Sequence, residues 1–545
     1  MGRTLKHALD RRVVTAGLTV SLLALAGCGS GSDASAEAAG GEPVSGGTLT
    51  FAVGSDTGCA DPQQVASNDS IYSVRQLVDS LTDQDPETGE IVPWLAESWE
   101  ISDDARSFTF HLRDGVTFSD GSELTAEVVK ANFDAVPDLG PLANLATGYL
   151  TGVEKVTAED PQTLNVTFAQ PNAQFLQATS THSLGVVSLA STELSPQERC
   201  TQGIVGSGPF TLAEYAPNQS ATLRKRTGYD WGSSLWKKKG EAYLDEVVFK
   251  VLPESGVRTG SLQSGQVDAI GNVGRADEAA LEASGATLQA RANPGAVFNL
   301  GVNNSRPALS DEKVRQALRQ AIDRQQVADT VFNTGTEPAT SILARTTPGY
   351  TDLSAELGHD PEKAKTLLEE AGWKAGADGI REKAGQKLSL TVAWFANSPT
   401  NQPALELIQQ QLREVGVAVE LKQYEIAQGA EVQQSGNFDL MWGNLTRADP
   451  DILRSLYSTG LANTYRIPAT GLDDTLTDQA GTVDEAARKE LVAGAQEAIV
   501  QNAFVIPVVE LQTKLGIAAG VHDLNFEASS RIQLHDTWLS GGGQG

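Results

Sequence analysis

The chain is short of several residue types, and each shortage narrows the field. Only 3 of its 545 residues are Cys and 6 are His, and aromatic residues make up 6%. So few cysteines exclude a small disulfide scaffold. Basic residues are scarce too: 41 Lys+Arg stand against 69 Asp+Glu, a net charge of −28, which argues against nucleic acid as a partner. After residue 27 no run approaches the roughly 20 apolar residues that cross a bilayer. What is present, 40% hydrophobic and 20% charged residues, describes a folded chain rather than a disordered one. At about 100–200 residues per domain, the length implies two to four units with ample core.

The chain begins with an address. Arg3, Lys6, Arg11 and Arg12 precede an apolar run from Val13 to Ala26, the pattern of a secretory signal peptide over residues 1–27. Leu25-Ala26-Gly27-Cys28 has the form of a lipobox, in which the Cys28 thiol accepts diacylglycerol after cleavage; an ordinary signal followed by a chance cysteine is the alternative. The expectation is a mature chain that starts at Cys28 and is lipid-anchored on the extracytoplasmic face of the cell membrane. Losing four basic side chains and Asp10 takes the net charge from −28 to −31. Residues 28–47, rich in Gly, Ser and Ala, then read as a flexible tether. Cys59 and Cys200 remain where disulfides persist, so a bond between them is expected over two unpaired thiols, although sequence does not establish their proximity.

Beyond the tether, strand and helix signals alternate without a fixed repeat. Thr48 to Val53 alternates with period two, as do Phe108, Phe110 and Leu112, followed by turn signals at Asp114-Gly115 and Asp120-Gly121. Ser310 is placed to cap a helix that buries Val314, Leu318, Ala321 and Ile322. Asp360-Pro361 starts another, which buries Ala364, Leu367, Leu368 and Ala371 and stops at Gly372. A third sets Leu405, Ile408, Leu412 and Val415 on one face and leads into a strand through Val417, Val419 and Leu421, with a further strand at Phe438 to Trp442. Such strand-helix-strand units predict an α/β fold of mixed sheets flanked by helices.

Catalytic signatures are missing from this pattern. There is no phosphate loop and no His-Glu-x-x-His, and Gly206-Ser207-Gly208 lacks the spacing of a nucleophile elbow. His111, His182, His359, His522 and His535 stand singly, and the pairs Asp103-Asp104 and Asp473-Asp474 are adjacent acids of the kind a solvated face carries.

Four segments together resemble one family. They are Pro93 to Trp99 continuing through Phe108 to Gly121 and Leu124 to Val129; Gly206 to Phe210 with Gly265 to Asp268; Val314 to Leu318 with Ala321 to Arg324; and Asp360 to Trp373 with Asp449-Pro450-Asp451. In this order they are similar to family 5 of the extracellular solute-binding proteins, the peptide/nickel-binding components of ATP-binding-cassette (ABC) importers. Most of these residues read as scaffold, including Trp94, Trp99 and Pro209-Phe210.

The resemblance implies a two-lobed, type II periplasmic-binding-protein fold. Lobe I would take residues 48–291, with an extra subdomain near 70–200, and a C-terminal return over 512–545; lobe II would take 298–508. The hinge would have two chain crossings, near residues 292–295 and 506–509. The implied function is capture of a peptide or peptide-like solute between the lobes and its delivery to ABC permease subunits served by cytoplasmic ATPases. Such a protein is a monomer, needs no cofactor and is no enzyme. A nickel or other metal chelate, or another small polar solute, is the alternative cargo; a surface enzyme or adhesion lipoprotein on the same fold is the more distant reading.

By position, the solute contacts implied are Ser55 and Asp56 at the first strand's exit, Asn272, Asn397, and Trp442, Asn444, Thr446 and Arg447. Trp442 would offer a stacking face or else core packing, and Arg447 a carboxylate fork or else a solvated charge. Peptide-binding members carry an Asp for the ligand's ammonium group near the position of Thr446. Its replacement here disfavours a peptide with a free amino terminus.

Overall fold

The computed structural model describes residues 41–425 and 428–540. The signal segment 1–27, Cys28 and the tether up to residue 40 lie outside the described residues, as do residues 541–545 at the end of the C-terminal return.

Twelve strands build two main sheets: β1 (Thr48–Val53), β2 (Phe210–Ala216), β3 (Ser220–Lys225), β4 (Glu246–Val251), β5 (Ala269–Ile270), β6 (Thr287–Ala292), β7 (Gly295–Val302), β8 (Ser389–Phe395), β9 (Ala418–Tyr424), β10 (Leu440–Thr446), β11 (Val505–Val509) and β12 (Gln512–Ile517). The first sheet has the order β6-β12-β5-β1-β4-β3-β2 and the second β9-β8-β10-β7-β11. In the first, β1 runs parallel to β4 and β5, while β12 is antiparallel to β5 and β6. In the second, β7 is antiparallel to β10 and β11, and β8 runs parallel to β9 and β10. Every residue of β7, next to the edge of its sheet, and of the edge strand β11 is buried, so other elements cover both strands.

Helices cover these sheets with the stripes their spacing predicts. On α1 (Asn68–Val74), Ile71, Tyr72 and Val74 are buried; α2 (Arg275–Ala283) packs beside β6. On α3 (Glu312–Ala321), Val314 and Leu318 enter the second core, but the cap is Asp311, which accepts from Lys313 N, while Ser310 turns to Pro307 O. The helices α4 (Arg324–Val331), α5 (Pro361–Glu370) and α6 (Asn401–Glu414) complete that core, α5 capped by Asp360 as its sequence predicts.

A four-stranded antiparallel sheet, Ala96–Ile101, Ser107–Leu112, Thr163–Phe168 and Val153–Asp160, forms a third core. Phe175 meets Phe108, Phe110, Phe133 and Phe168 edge-on there, with ring centroids 4.8 to 6.2 Å away. Trp94 is fully buried in the same cluster.

The chain passes between the main sheets twice. The first passage joins β6 to β7 through Asn293-Pro294, and the second joins β11 to β12 through Glu510-Leu511. Residues 506–509, expected as the second crossing, are instead strand residues of the second sheet, because Ile506, Val508 and Val509 are apolar enough to be buried there.

Candidate functional site

Strand directions decide where a site can form. β12 starts beside the end of β6, Gln512 opposite Ala292, so both crossings leave one edge of the first sheet. β5 is antiparallel to β12 and parallel to β1, so β1 and β5 also exit at that edge, carrying Ser55, Asp56 and Asn272. In the second sheet Thr446, the last residue of β10, pairs with Gly295 directly after the first crossing, and β8 exits beside β10. The carboxyl ends of parallel strands therefore face each other across the crossings, the usual position for ligands in α/β sheets.

The crossings are tightly bonded. Asn293 N donates to Leu511 O at 2.7 Å, and Thr513 Oγ1 donates to Asn293 Oδ1 at 2.8 Å. Arg447 N donates to Pro294 O at 3.0 Å, and Thr346 Oγ1 to Ala292 O at 3.0 Å. Gly295 has φ +110°, and a Cβ there would meet Leu445 O at 2.3 Å, so only glycine lets β10 approach the crossing this closely.

At the first sheet's edge Asp69 organises the loops. Its carboxylate accepts from Gly54 N (3.1 Å), Ser55 Oγ (3.0 Å) and Asn272 Nδ2 (2.8 Å). Burial pushes its pKa up, while the Ser55 hydroxyl and the Arg258 charge pull it back. Ser55 and Asn272 remain exposed around it. Asp56 is engaged differently: it accepts from Tyr215 OH and Asn218 N, both at 2.8 Å, and so pins a neighbouring hairpin.

At the second sheet's edge Asn444, Thr446 and Arg447 are half-buried and Leu445 is 39% exposed. Trp442 is not at the surface. Its ring stacks on Phe298 at 5.2 Å and its Nε1 donates to Asn401 Oδ1 at 3.0 Å, so it is core, and the stacking role expected for it is corrected. An apolar ring on a strand flanked by Leu440 and Phe298 gains more from burial than from an open cleft. Asn397 is exposed and accepts from Asn401 Nδ2 at 2.8 Å. Arg447 donates to Ser455 Oγ at 3.0 Å and lies over the Tyr149 ring at 5.1 Å.

Two sets of contacts tie the sheets' surroundings together. Beside the crossings Glu278 of α2 pairs with Lys514 at 2.8 Å and accepts from Asn333 Nδ2 at 2.7 Å and Thr334 N at 3.1 Å, just past α4. On the far side Ala173 N donates to Ala480 O at 2.8 Å, and Arg447 reaches Gln174 Oε1 at 3.4 Å. A cavity of about 400 Å³ is walled by Ile91, Trp99 and Leu176 on one side and by Pro450 with Arg488 and Val492 of the helix Glu485–Gln501 on the other. Asp449 and Asp451 beside it are engaged by Arg488 (2.7 Å) and Arg454 (2.8 Å), which makes the Asp-Pro-Asp segment scaffold.

Residues 90–465 match the bacterial extracellular solute-binding proteins, family 5, middle region. The chain belongs to this family. It is 28% identical over 477 residues to the glutathione-binding protein GsiB of Escherichia coli O1:K1, a match covering 85% of this chain and 88% of that one. The fold is similar to that of NikA from Brucella suis in complex with Fe(III)-EDTA, with TM-score 0.79, 24% identity, and coverage of 90% and 100%. It is also similar to the oligopeptide-binding protein AppA from Bacillus subtilis in complex with a nonapeptide, with TM-score 0.73, 20% identity, and coverage of 92% and 100%. The fold is thus that of the type II periplasmic binding proteins.

Within this family 5 binding protein, the structure brings Ser55 and Asn272 together on Asp69, and sets Asn444, Thr446 and Arg447 beside the first crossing. Asp69, Glu278 and Lys514 escaped sequence reading because each is one charge among 110, with no motif around it. Cys59 and Cys200 are joined as a disulfide in the structure, with Cα atoms 4.0 Å apart.

Proposed function

We propose that this solute-binding protein captures a peptide-like solute between two lobes, 48–291 with the C-terminal return from 512, and 298–508. It passes the solute unchanged to an ABC permease. Cys28 carries the lipid, residues 28–47 are the tether, and the protein works as a monomer on the outer face of the cell membrane. The observation that supports the reading best is the strand register, which sets the loops after β1, β5 and β10 at the ends of the sheets between which the chain crosses twice. A solute touching both edges stabilises the closed arrangement by its differential affinity, and a permease can read that closure. No bond is broken in this scheme.

Thr446 stands where peptide receptors place a carboxylate for an ammonium group, so a solute presenting carboxylates suits this cleft better than one with a free amino terminus. The similarity to GsiB supports the carboxylate part of this reading, since glutathione presents two carboxylates; it also carries an ammonium group, for which this cleft would need an acceptor other than Thr446. Native mass spectrometry of the chain purified from its own host tests the reading. The expected result is a stoichiometric organic adduct of peptide-like composition, released intact on unfolding; a bound solute that is turned over, or a metal chelate in its place, contradicts it.

A further inference from the structure

A loop that leaves the second core after α4 accompanies the chain through its second crossing. Residues 334–339 run antiparallel to residues 508–514, partner after partner. Ala339 N donates to Val508 O at 3.1 Å and Pro338 forms a bridge with Val509, so this end lies on β11. In the crossing itself Glu510 N donates to Glu337 O at 3.0 Å. Thr336 Oγ1 then reaches Gln512 Oε1 at 3.5 Å, and Lys514 Nζ donates to Thr334 O at 2.7 Å, both partners being on β12 of the first sheet. The loop's tip is anchored there. Asn333 Nδ2 donates to Val273 O at 2.8 Å and to Glu278 Oε1 at 2.7 Å, Thr334 N donates to Glu278 Oε2 at 3.1 Å, and Arg275 Nη1 donates to Phe332 O at 2.6 Å.

The anchor is built around buried charge. Glu278 and Lys514 are 6% and 7% exposed, and desolvation offsets much of the attraction in such a pair, so what it supplies is a fixed position more than net stability. Lifting the loop away would strip Glu278 of Asn333 and Thr334, and Lys514 of the Thr334 carbonyl. Buried polar groups left short of partners are costly, which keeps the contact shut. The contact also adjoins the crossing through which any axis of rotation between the sheets must pass, and atoms near an axis move least. Val273 carries the constraint to the site: it follows Asn272, gives its carbonyl to Asn333, and donates its N–H to Lys514 O at 3.2 Å.

We infer that residues 332–339 splint the hinge, and that Asn333 is a positioning residue that fixes the axis on which the lobes turn and holds Asn272 in register with the second lobe. The splint stays closed in the empty and the loaded protein alike. The inference rests on the two-lobed reading and adds what guides the closure.

The test compares three full-length chains: wild type, Asn333→Asp, and Asn333→Asp combined with Glu278→Gln. The single substitution keeps the side chain's shape and sets a carboxylate against Glu278; the double one restores a donor facing an acceptor and leaves Lys514 a carboxylate partner. In wild type, amide hydrogen exchange over residues 332–337 is expected to be slow without solute and unchanged by glutathione. In Asn333→Asp, exchange there is expected to rise about tenfold, the solute-free radius of gyration to increase, and glutathione to bind about 3- to 10-fold more weakly, with the double variant restoring all three. A merely structural role predicts a lower melting temperature with the radius and the affinity unmoved well below melting. Fast exchange in the wild-type loop, or equal exchange and radius in wild type and Asn333→Asp, overturns the splint whether or not glutathione binds. Protection that changes on glutathione binding overturns it as well, because the contact then breaks during closure. Solute-free differences as expected, with no binding of glutathione or short peptides, sustain the splint and overturn the peptide-like reading instead.

Discussion

Glu510 occupies the second crossing with its carboxyl 3% exposed as a residue, Oε1 accepting from Arg345 N at 3.3 Å and Oε2 without a partner. Burial raises its pKa to about 7, the Arg345 backbone and charge opposing weakly, from an ordinary value of 4.5. The folded protein therefore holds this proton more tightly than the unfolded chain. The stability it contributes is full below about pH 4.5 and is lost as pH rises to about 7, a change on the order of 3 kcal/mol. Urea midpoints measured from pH 4 to 8 should fall over that window in wild type and fall less in Glu510→Gln; identical profiles contradict the assignment. Asp79, raised by burial to about 7 although Trp231 and Tyr229 donate to it, adds a second component of the same sign that both proteins share. Residue identity alone disclosed none of this, because burial is a property of the fold. The same limit explains Trp442, whose side chain suits a cleft or a core equally until its strand is seen between Phe298 and Asn401.

Elements were more legible than side-chain roles. The alternation at Thr48 to Val53, the Asp360-Pro361 start and the Leu405 to Val415 stripe each correspond to an element, since periodicity and caps act over a few residues. The crossing at Glu510-Leu511 was displaced by a few residues because Ile506 to Val509 and the linker share an apolar character that pattern alone does not divide. Between distant elements, the Cys59–Cys200 bond closes 141 residues and links the loop after β1 to the short helix Pro196–Gln202. In the chain-entropy model this bond contributes about 5 kcal/mol. Reductant, or Cys59→Ser with Cys200→Ser, should lower the urea midpoint accordingly. Two alkylatable thiols in the denatured, unreduced body contradict the bond.

At the scale of the whole molecule, two sheets share an edge at which the chain passes twice, with Glu278 and Lys514 bridging behind it and Ala173 and Ala480 meeting in front. Composition specifies a large acidic folded chain and nothing of its joints; only the spaced family segments imply them. Function follows from whether these halves move. Small-angle scattering of the solute-stripped chain, titrated with glutathione and short acidic peptides, measures this directly. The account predicts a saturable fall in the radius of gyration at the concentrations where calorimetry reports binding; binding that leaves the radius unchanged contradicts it.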